Sequence, residues 1–190
     1  MLLFDNRGHR KYLTPDERRR FIVSALTREP DVRAFCIVIA FTGCRLSEAL
    51  ELTPEQADAS AREIVIRSLK KRRSNIYRPV PVPQDVLSLV VEAASRATNP
   101  TGRIWPWCRA TGWKRVKEVL AAAGIAGAHA SPKGLRHGFA VAAVHAGIPL
   151  SLVQRWLGHS NIATTAIYTA VTGEEERDIA MRMWRTTPLS

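Results

Sequence analysis

Apolar residues recur every three to four positions along most of the chain, which predicts a mainly helical protein. One run follows Thr14-Pro15-Asp16-Glu17, where an N-cap threonine, a proline behind it and a glutamate three residues after the cap indicate a helix start. A second run opens near Asp31 and can end at Gly43, and Ser131-Pro132 repeats the start signal. Further helices are predicted near residues 45–50, 84–97, 110–123, 150–157, 164–168 and 174–184.

Two short stretches depart from this helical period. Ile64-Val65-Ile66 and residues 77–82 are typical of β-strands, and a segment rich in Lys and Arg separates them. The pattern predicts a β-hairpin with a very basic tip. Pro79, Pro81 and Pro83 confine the second strand to a sheet edge, because proline has no backbone N–H to donate. The sequence therefore predicts a mostly α fold with a small antiparallel β-sheet.

Charge narrows the class of partner. The 190 residues include 28 Lys and Arg against 17 Asp and Glu, a net charge of +11. This excess favours nucleic acid over a membrane surface, and no apolar run approaches the roughly 20 residues of a transmembrane helix. Cys36, Cys44 and Cys108 are odd in number and widely spaced, which predicts reduced thiols in a cytoplasmic protein and no metal site.

Three segments carry residues suited to chemistry on a phosphate. They are residues 42–48, with Arg45; residues 131–138, with Lys133 and Arg136; and residues 157–168, with His159 and Tyr168. Each segment alone has an ordinary structural interpretation, such as a solvated arginine at a helix start or a half-buried tyrosine. Their combination, in this order and with this spacing, points to a shared site.

In this arrangement the sequence resembles the tyrosine recombinases, the phage-integrase family. Members carry an Arg in a T-G-x-R-x-S-E segment, a hairpin Lys, a His-x-x-Arg box, a Leu-Gly-His box and a Tyr nine residues after that His. Arg45, Arg136, His159 and Tyr168 match in order, and the resemblance covers residues 13–185. It implies the integrase catalytic-domain fold and a site-specific recombinase that cleaves and rejoins double-stranded DNA through a 3′-phosphotyrosine, with neither a metal nor a cofactor.

The resemblance implies a role for each matched residue. Arg45 and Arg136 would bind the nonbridging phosphate oxygens, since a guanidinium stays charged and can hold two oxygens at once. His159 would add a hydrogen bond to the phosphate, and Tyr168 would be the nucleophile. Chemistry without a metal also fits a sequence that shows no Asp and Glu cluster with metal spacing.

A lysine of the predicted hairpin would protonate the 5′ leaving oxygen. Lys70 and Lys71 are adjacent candidates, and only one can point into the site because alternate strand residues face opposite sides. Lys70 is preferred because it follows directly on the strand of residues 64–69. Lys71, Arg72 and Arg73 are expected to contact the DNA backbone.

The sequence departs from the family pattern in two places. Lys133 begins the His-x-x-Arg box, a substitution that the family accepts, and Gly134 replaces the usual aspartate. Lys133 can still donate to the phosphate, and with a lowered pKa it could accept the nucleophile's proton.

The second departure concerns the domains. Residues 1–12 are expected to form a loose basic arm and residues 13–190 the catalytic domain, without an N-terminal core-binding domain. The chain is then either a fragment or a naturally short member.

Other aromatic residues are given packing roles. Trp105, Trp107 and Trp113 are expected to pack between helices rather than to contact bases. His137, next to Arg136, is expected to pack near the site.

Two other functions use the same residues. A type IB topoisomerase or hairpin telomere resolvase would share the chemistry. A non-catalytic DNA-binding regulator would keep the fold without turnover, and Lys133 and Gly134 would support that alternative.

The resemblance also implies a homo-oligomer, a tetramer, on DNA, with DNA-bending accessory proteins as further partners. The apolar stripe of residues 174–184 is expected to dock on a neighbouring protomer. The target site and the outcome of recombination stay open.

Overall fold

The computed structural model of the protein describes residues 3–69, 76–97, 102–170 and 181. It confirms a mostly helical fold with a small antiparallel sheet. In chain order the elements are α1 (Pro15–Leu26), α2 (Pro30–Thr42), α3 (Leu46–Leu50), β1 (Ala57–Asp58), β2 (Glu63–Arg67), β3 (Tyr77–Pro81), α4 (Gln84–Ser95), α5 (Arg109–Ala122), α6 (Pro132–His145), α7 (Leu150–Leu157) and α8 (Ala163–Ala166), with short 3-10 turns at Pro54–Gln56 and Ile167–Ala170.

The two predicted helix starts are confirmed by their hydrogen bonds. The Thr14 hydroxyl accepts from the Glu17 backbone N–H (3.2 Å), and the Glu17 carboxylate accepts from the Thr14 N–H (2.9 Å). At α6 the Ser131 hydroxyl accepts from the Gly134 N–H (3.1 Å). Each bond satisfies a backbone donor that has no partner inside the helix, so these residues set where α1 and α6 begin.

The sheet has the strand order β1-β2-β3, and its strands are antiparallel. Ile64 pairs with Val80, and both side chains are buried, whereas Pro79 and Pro81 point outward from β3. The hairpin and its proline-bearing edge strand are therefore confirmed. The sheet has one strand more than the sequence predicted, the short β1 that pairs with β2.

Two hydrophobic clusters form the interior. The larger one surrounds α2, whose residues 34–40 are all buried, and includes apolar residues of α1, α4, α5 and the sheet. The smaller one joins α6 and α7 to the turn that carries Tyr168. Among the described residues, none of the helices combines the length and hydrophobicity needed to cross a bilayer.

The sequence suggested a loose N-terminal arm, but residues 3–12 pack against the rest of the protein. Leu3 and Tyr12 are buried in the smaller cluster, a bridge pairs Phe4 with Arg10, and Arg10 forms an ion pair with Glu17 at the start of α1. Although burial opposes ionisation, Arg10 and nearby donors lower the pKa of Glu17 to about 2. Apolar contacts and an ion pair, which charge composition does not reveal, hold the arm in place.

Two predicted features lie outside the described residues. They are the basic hairpin tip, with Lys70, Lys71, Arg72 and Arg73, and the tail helix of residues 174–184, of which Met181 alone is described. The roles proposed for both stay predictions.

Candidate active site

Arg136 extends from α6 to the C-terminal ends of two other helices. Its Nη1 donates to the Gly43 carbonyl (2.7 Å) and its Nη2 to the Leu157 carbonyl (2.6 Å). Carbonyls at a helix end have no intrahelical partner and carry partial negative charge, so they stabilise a buried cation. Burial and the nearby Arg45 lower the pKa of Arg136 to about 10, which leaves its guanidinium charged at neutral pH.

A buried carboxylate, that of Glu48, holds Arg45 at the start of α3. Oε1 of Glu48 accepts from Nη1 of Arg45 (2.8 Å), and Oε2 accepts from the Arg45 backbone N–H (2.9 Å). Nη2 of Arg78 donates to Oε2 from the other side (2.6 Å). Burial raises the pKa of Glu48, but Arg78 and Arg45 outweigh it and lower the pKa below its usual value. The ionised carboxylate therefore fixes the direction of the Arg45 side chain.

Arg78, which was not predicted from the sequence as a site residue, connects the sheet to this network. Its Nη1 donates to the Ser68 hydroxyl (2.9 Å) and its Nε to the Trp156 carbonyl (2.7 Å). The side chain is buried, on the same face of β3 as Val80. An arginine at an inward-facing position of an alternating strand was the available signal, since such a charge needs a buried partner.

His159 and Tyr168 lie side by side beyond the end of α7. Nδ1 of His159 is 3.0 Å from the Thr165 hydroxyl, and burial together with Arg136 and Arg45 lowers the pKa of His159 to about 3. The ring of Tyr168 is nearly parallel to that of His159, with an interplanar angle of 13° and a centroid distance of 6.4 Å. Burial raises the pKa of Tyr168, and the charges of Arg136 and Arg45 partly offset this effect. The phenol is therefore neutral at rest and close to both arginines.

A cleft of about 530 Å³ brings most of the predicted site residues together. Arg45, Lys133, Arg136 and His159 line it, whereas Tyr168 is 1% exposed and lies just behind the cleft wall. Lys133 is an exposed residue at the start of α6, three positions before Arg136. Among the described residues the cleft gathers four basic side chains and two neutral imidazoles, those of Arg45, Arg109, Lys133, Arg136, His137 and His159, a set suited to binding an oxyanion.

The expectation for the tryptophans is correct for Trp105 and wrong for Trp113. Trp105 is fully buried, but Trp113 is 47% exposed and lines the cleft with Arg109, one turn earlier on α5. The four-residue spacing of Arg109 and Trp113 was the sequence signal for this shared face. Both residues extend the cleft surface towards α5.

Gly134 has a packing role that accounts for its departure from the family pattern. A Cβ at this position would lie 1.8 Å from the backbone carbonyl oxygen of His129. Backbone atoms cannot move aside without shifting the loop before α6. Close approach of two backbone segments therefore requires glycine here.

We expect Gly134→Ala to destabilise the fold by about 3 kcal/mol, at the upper end of overpacking costs. A matched control is Gly8→Ala, because Gly8 has a positive φ of 77° but no atom within 4 Å of a Cβ. That variant should lose only about 1 kcal/mol, from backbone strain. Urea unfolding would measure both, and equal losses would contradict the overlap at Gly134.

Comparison with known proteins covers nearly the whole chain. The model of the phage integrase family matches residues 11–175. Tyrosine recombinase XerD of Yersinia pestis is 34% identical over 177 residues, which are 83% of this chain and 58% of XerD. The chain thus spans less than two thirds of that relative.

Solved structures that share the fold include a DNA-bound recombinase and an integrase catalytic domain. The XerH site-specific recombinase bound to its difH substrate has a TM-score of 0.76 and 22% identity, over 93% of this chain and 59% of XerH. The catalytic domain of bacteriophage HP1 integrase has a TM-score of 0.65 and 22% identity, over 94% of this chain and 95% of that domain. The matched family region includes all three segments that supply the cleft, and the fold is that of integrase catalytic domains: the chain belongs to the phage integrase family of tyrosine recombinases.

Proposed function

We propose that this protein cleaves and rejoins double-stranded DNA at specific sites through a covalent bond between Tyr168 and a 3′ phosphate. The observation that carries this proposal is the cleft lined by Arg45, Arg136 and His159, with the phenol of Tyr168 beside it. A net charge of +11 supports a polyanionic partner. XerH, which shares the fold, is a site-specific recombinase bound to its substrate.

The two arginines are suited to bind the scissile phosphate. A guanidinium carries five N–H donors, and Arg136 uses two of them on backbone carbonyls. The donors that remain are available to the nonbridging oxygens at the cleft, and the fixed carbonyl contacts hold them in place before DNA arrives. Arg45, held by Glu48, supplies a second guanidinium. Such preorganised donors stabilise the charge that develops on phosphorus in the transition state.

The covalent step exchanges one phosphate ester for another. The oxygen of Tyr168 attacks phosphorus, and the bond from phosphorus to the 5′ oxygen breaks. The phenol releases one proton to the site and the general acid supplies one to the leaving 5′ oxygen, so the step neither gains nor loses protons overall. The neutral His159 adds a hydrogen bond to the phosphate. Religation reverses each of these changes on a new 5′ hydroxyl, so the energy of the broken DNA bond is retained in the phosphotyrosine.

We assign the proton for the leaving oxygen to Lys70 rather than Lys71. Ile64 and Ile66 of β2 and Ser68, one residue beyond it, alternate as buried residues, and the Ser68 hydroxyl accepts a hydrogen bond from Arg78 of the site network. Lys70 follows Ser68 by two positions in the sequence, and we expect it to share that side because side chains alternate along an extended chain. This supports Lys70 as the general acid and leaves Lys71, Arg72 and Arg73 for backbone phosphates.

The test is incubation with nicked suicide duplexes made from candidate target DNA, followed by a denaturing gel. A covalent protein–DNA adduct is the expected result. Adduct without relaxation of supercoiled plasmid would distinguish a recombinase from a type IB topoisomerase. DNA binding without adduct would indicate a non-catalytic regulator. The sequence offered Lys133 and Gly134 in support of a regulator, and the packing role of Gly134 leaves only Lys133.

Assembly is part of the proposal. Strand exchange needs two cleaved duplexes held together, so we propose a homo-tetramer on DNA, with DNA-bending proteins as further partners. Gel filtration of the adduct formed on paired suicide duplexes would measure the number of protomers.

We expect Lys133→Ala to slow single-turnover cleavage by roughly 10²–10³, the cost of losing one donor to the transition state. Lys133→His should retain substantial cleavage, because an imidazole can also donate. DNA affinity should change far less than the rate, since one contact among many is lost. Lys114→Ala removes an exposed lysine of α5 that lies outside the cleft and serves as the control. Parental cleavage by Lys133→Ala would show that Lys133 is not needed.

A further inference from the structure

His137 lines the cleft and contacts the proposed nucleophile, but the mechanism above gives it no role. It follows Arg136 on α6, is 2% exposed and lies at the inner wall of the cleft. Its Nδ1 lies 2.9 Å from the phenol oxygen of Tyr168. From its position in the sequence, His137 was expected only to pack near the site.

The surroundings keep the imidazole neutral. Burial, followed by the positive charges of Lys133, Arg136 and Lys11, lowers the pKa of His137 to about 4. A neutral imidazole has one N–H and one acceptor nitrogen. Within the described part of the chain, the buried Nε2 of His137 has no hydrogen-bond partner. The bond to Tyr168 is therefore the polar contact that this ring makes there.

Among the described residues, the polar contact of the phenol oxygen is the one with His137. Tyr168 lies in a single 3-10 turn, Ile167–Ala170, rather than in a long helix. Its ring packs against the ring of His159, and its oxygen meets His137. Rotation about the Cα–Cβ bond moves the oxygen, the atom farthest from the backbone, more than any other atom of the side chain. In-line attack is sensitive to such displacement, which can cost about 10²-fold in rate per ångström.

We propose that His137 is a positioning residue, whose Nδ1 accepts the hydrogen bond of the Tyr168 phenol and holds the oxygen beside Arg136 and Arg45. The inference rests on the proposed function, since it assigns the nucleophile to Tyr168. It adds that the residue after the box arginine, and not the box residue Lys133, sets where that nucleophile waits.

Replacement of His137 by amides separates this bond from general packing. The amide of Asn ends where Nδ1 of histidine lies, and the amide of Gln ends near the position of Nε2. We therefore expect His137→Asn to cleave a suicide duplex within about fivefold of the parental rate and His137→Gln and His137→Leu to be roughly 10–100-fold slower. DNA affinity should stay within about twofold. His145→Gln, on the same helix but outside the cleft, is the control and should cleave normally.

A second measurement detects the hydrogen bond without relying on activity. Tyr12→Phe and Tyr77→Phe leave Tyr168 as the one tyrosine, whose ionisation can be followed by ultraviolet absorbance. A bond that the neutral phenol donates raises the phenol pKa, so His137→Leu should lower the titration midpoint by roughly half to one pH unit, and His137→Asn should restore it. The charged groups that reach the phenol, Arg136 and Arg45, are unchanged in every variant.

The outcomes divide cleanly. An unchanged midpoint in His137→Leu would overturn the inference, as would parental or faster cleavage by that variant, or equal losses in Asn and Gln. If the midpoint shifts as expected but the parental chain forms no adduct, the proposed function fails while the hydrogen bond stands.

Discussion

Tyr168→Phe should bind target DNA as tightly as the parental chain and form no covalent adduct. The substitution removes one oxygen, and the phenyl ring still fills the small cluster beneath α6 and α7. The buried imidazole of His137 loses its partner, which should cost the fold about 1–3 kcal/mol. A shift assay measures binding, and a nicked suicide duplex run on a denaturing gel measures adduct formation.

Tyr77→Phe is the matched control. Tyr77 lies on β3 with 49% of its surface exposed, and it makes no contribution to the cleft lining. This variant should form adduct at the parental rate. An adduct of undiminished yield from Tyr168→Phe would refute the assignment of the nucleophile and direct attention to Tyr12.

Glu48→Gln should destabilise the protein by about 3–5 kcal/mol, the usual cost of breaking a buried ion pair from one side. The Glu48 side chain is fully buried and neutralises Arg78, which is itself 5% exposed. A glutamine would leave that guanidinium without a counter-charge and would turn amide hydrogens towards guanidinium donors. Because Glu48 also orients Arg45, cleavage by the folded fraction should fall as well.

The pair Arg33–Glu92 provides the comparison. It joins α2 to α4 at a similar distance (3.1 Å), but 43% of the Glu92 side chain is exposed. Glu92→Gln should therefore lose at most about 1 kcal/mol, since water already screens the pair. Urea unfolding of both variants measures the difference, and a similar small loss for both would contradict the role given to Glu48.

Sequence signals gave correct predictions where a residue affects the backbone within a few positions of itself. Thr14 and Ser131 cap the helices as expected because their hydroxyls reach N–H groups three residues away. Pro79 and Pro81 mark an edge strand for an equally local reason, the missing N–H. The prediction of a loose arm was wrong because the burial of Leu3 and Tyr12 depends on side chains of α6 and α7, which are more than 120 residues distant in sequence.

The sequence by itself determined the helices between residues 15 and 166, the pairing of β2 with β3, and the order of Arg45, Arg136, His159 and Tyr168. Caps, periodicity and motif spacing are properties of neighbouring residues, so they can be recognised without the fold. Tertiary structure decided which groups surround them. Arg78 lies on β3, 30 residues beyond the carboxylate of Glu48 that it neutralises, and Tyr168 is 31 residues beyond His137. A glycine at position 134 is explained by a carbonyl of a preceding loop. Such contacts join segments that meet only when the chain packs, since burial of charge and close approach of backbones are set by the whole fold.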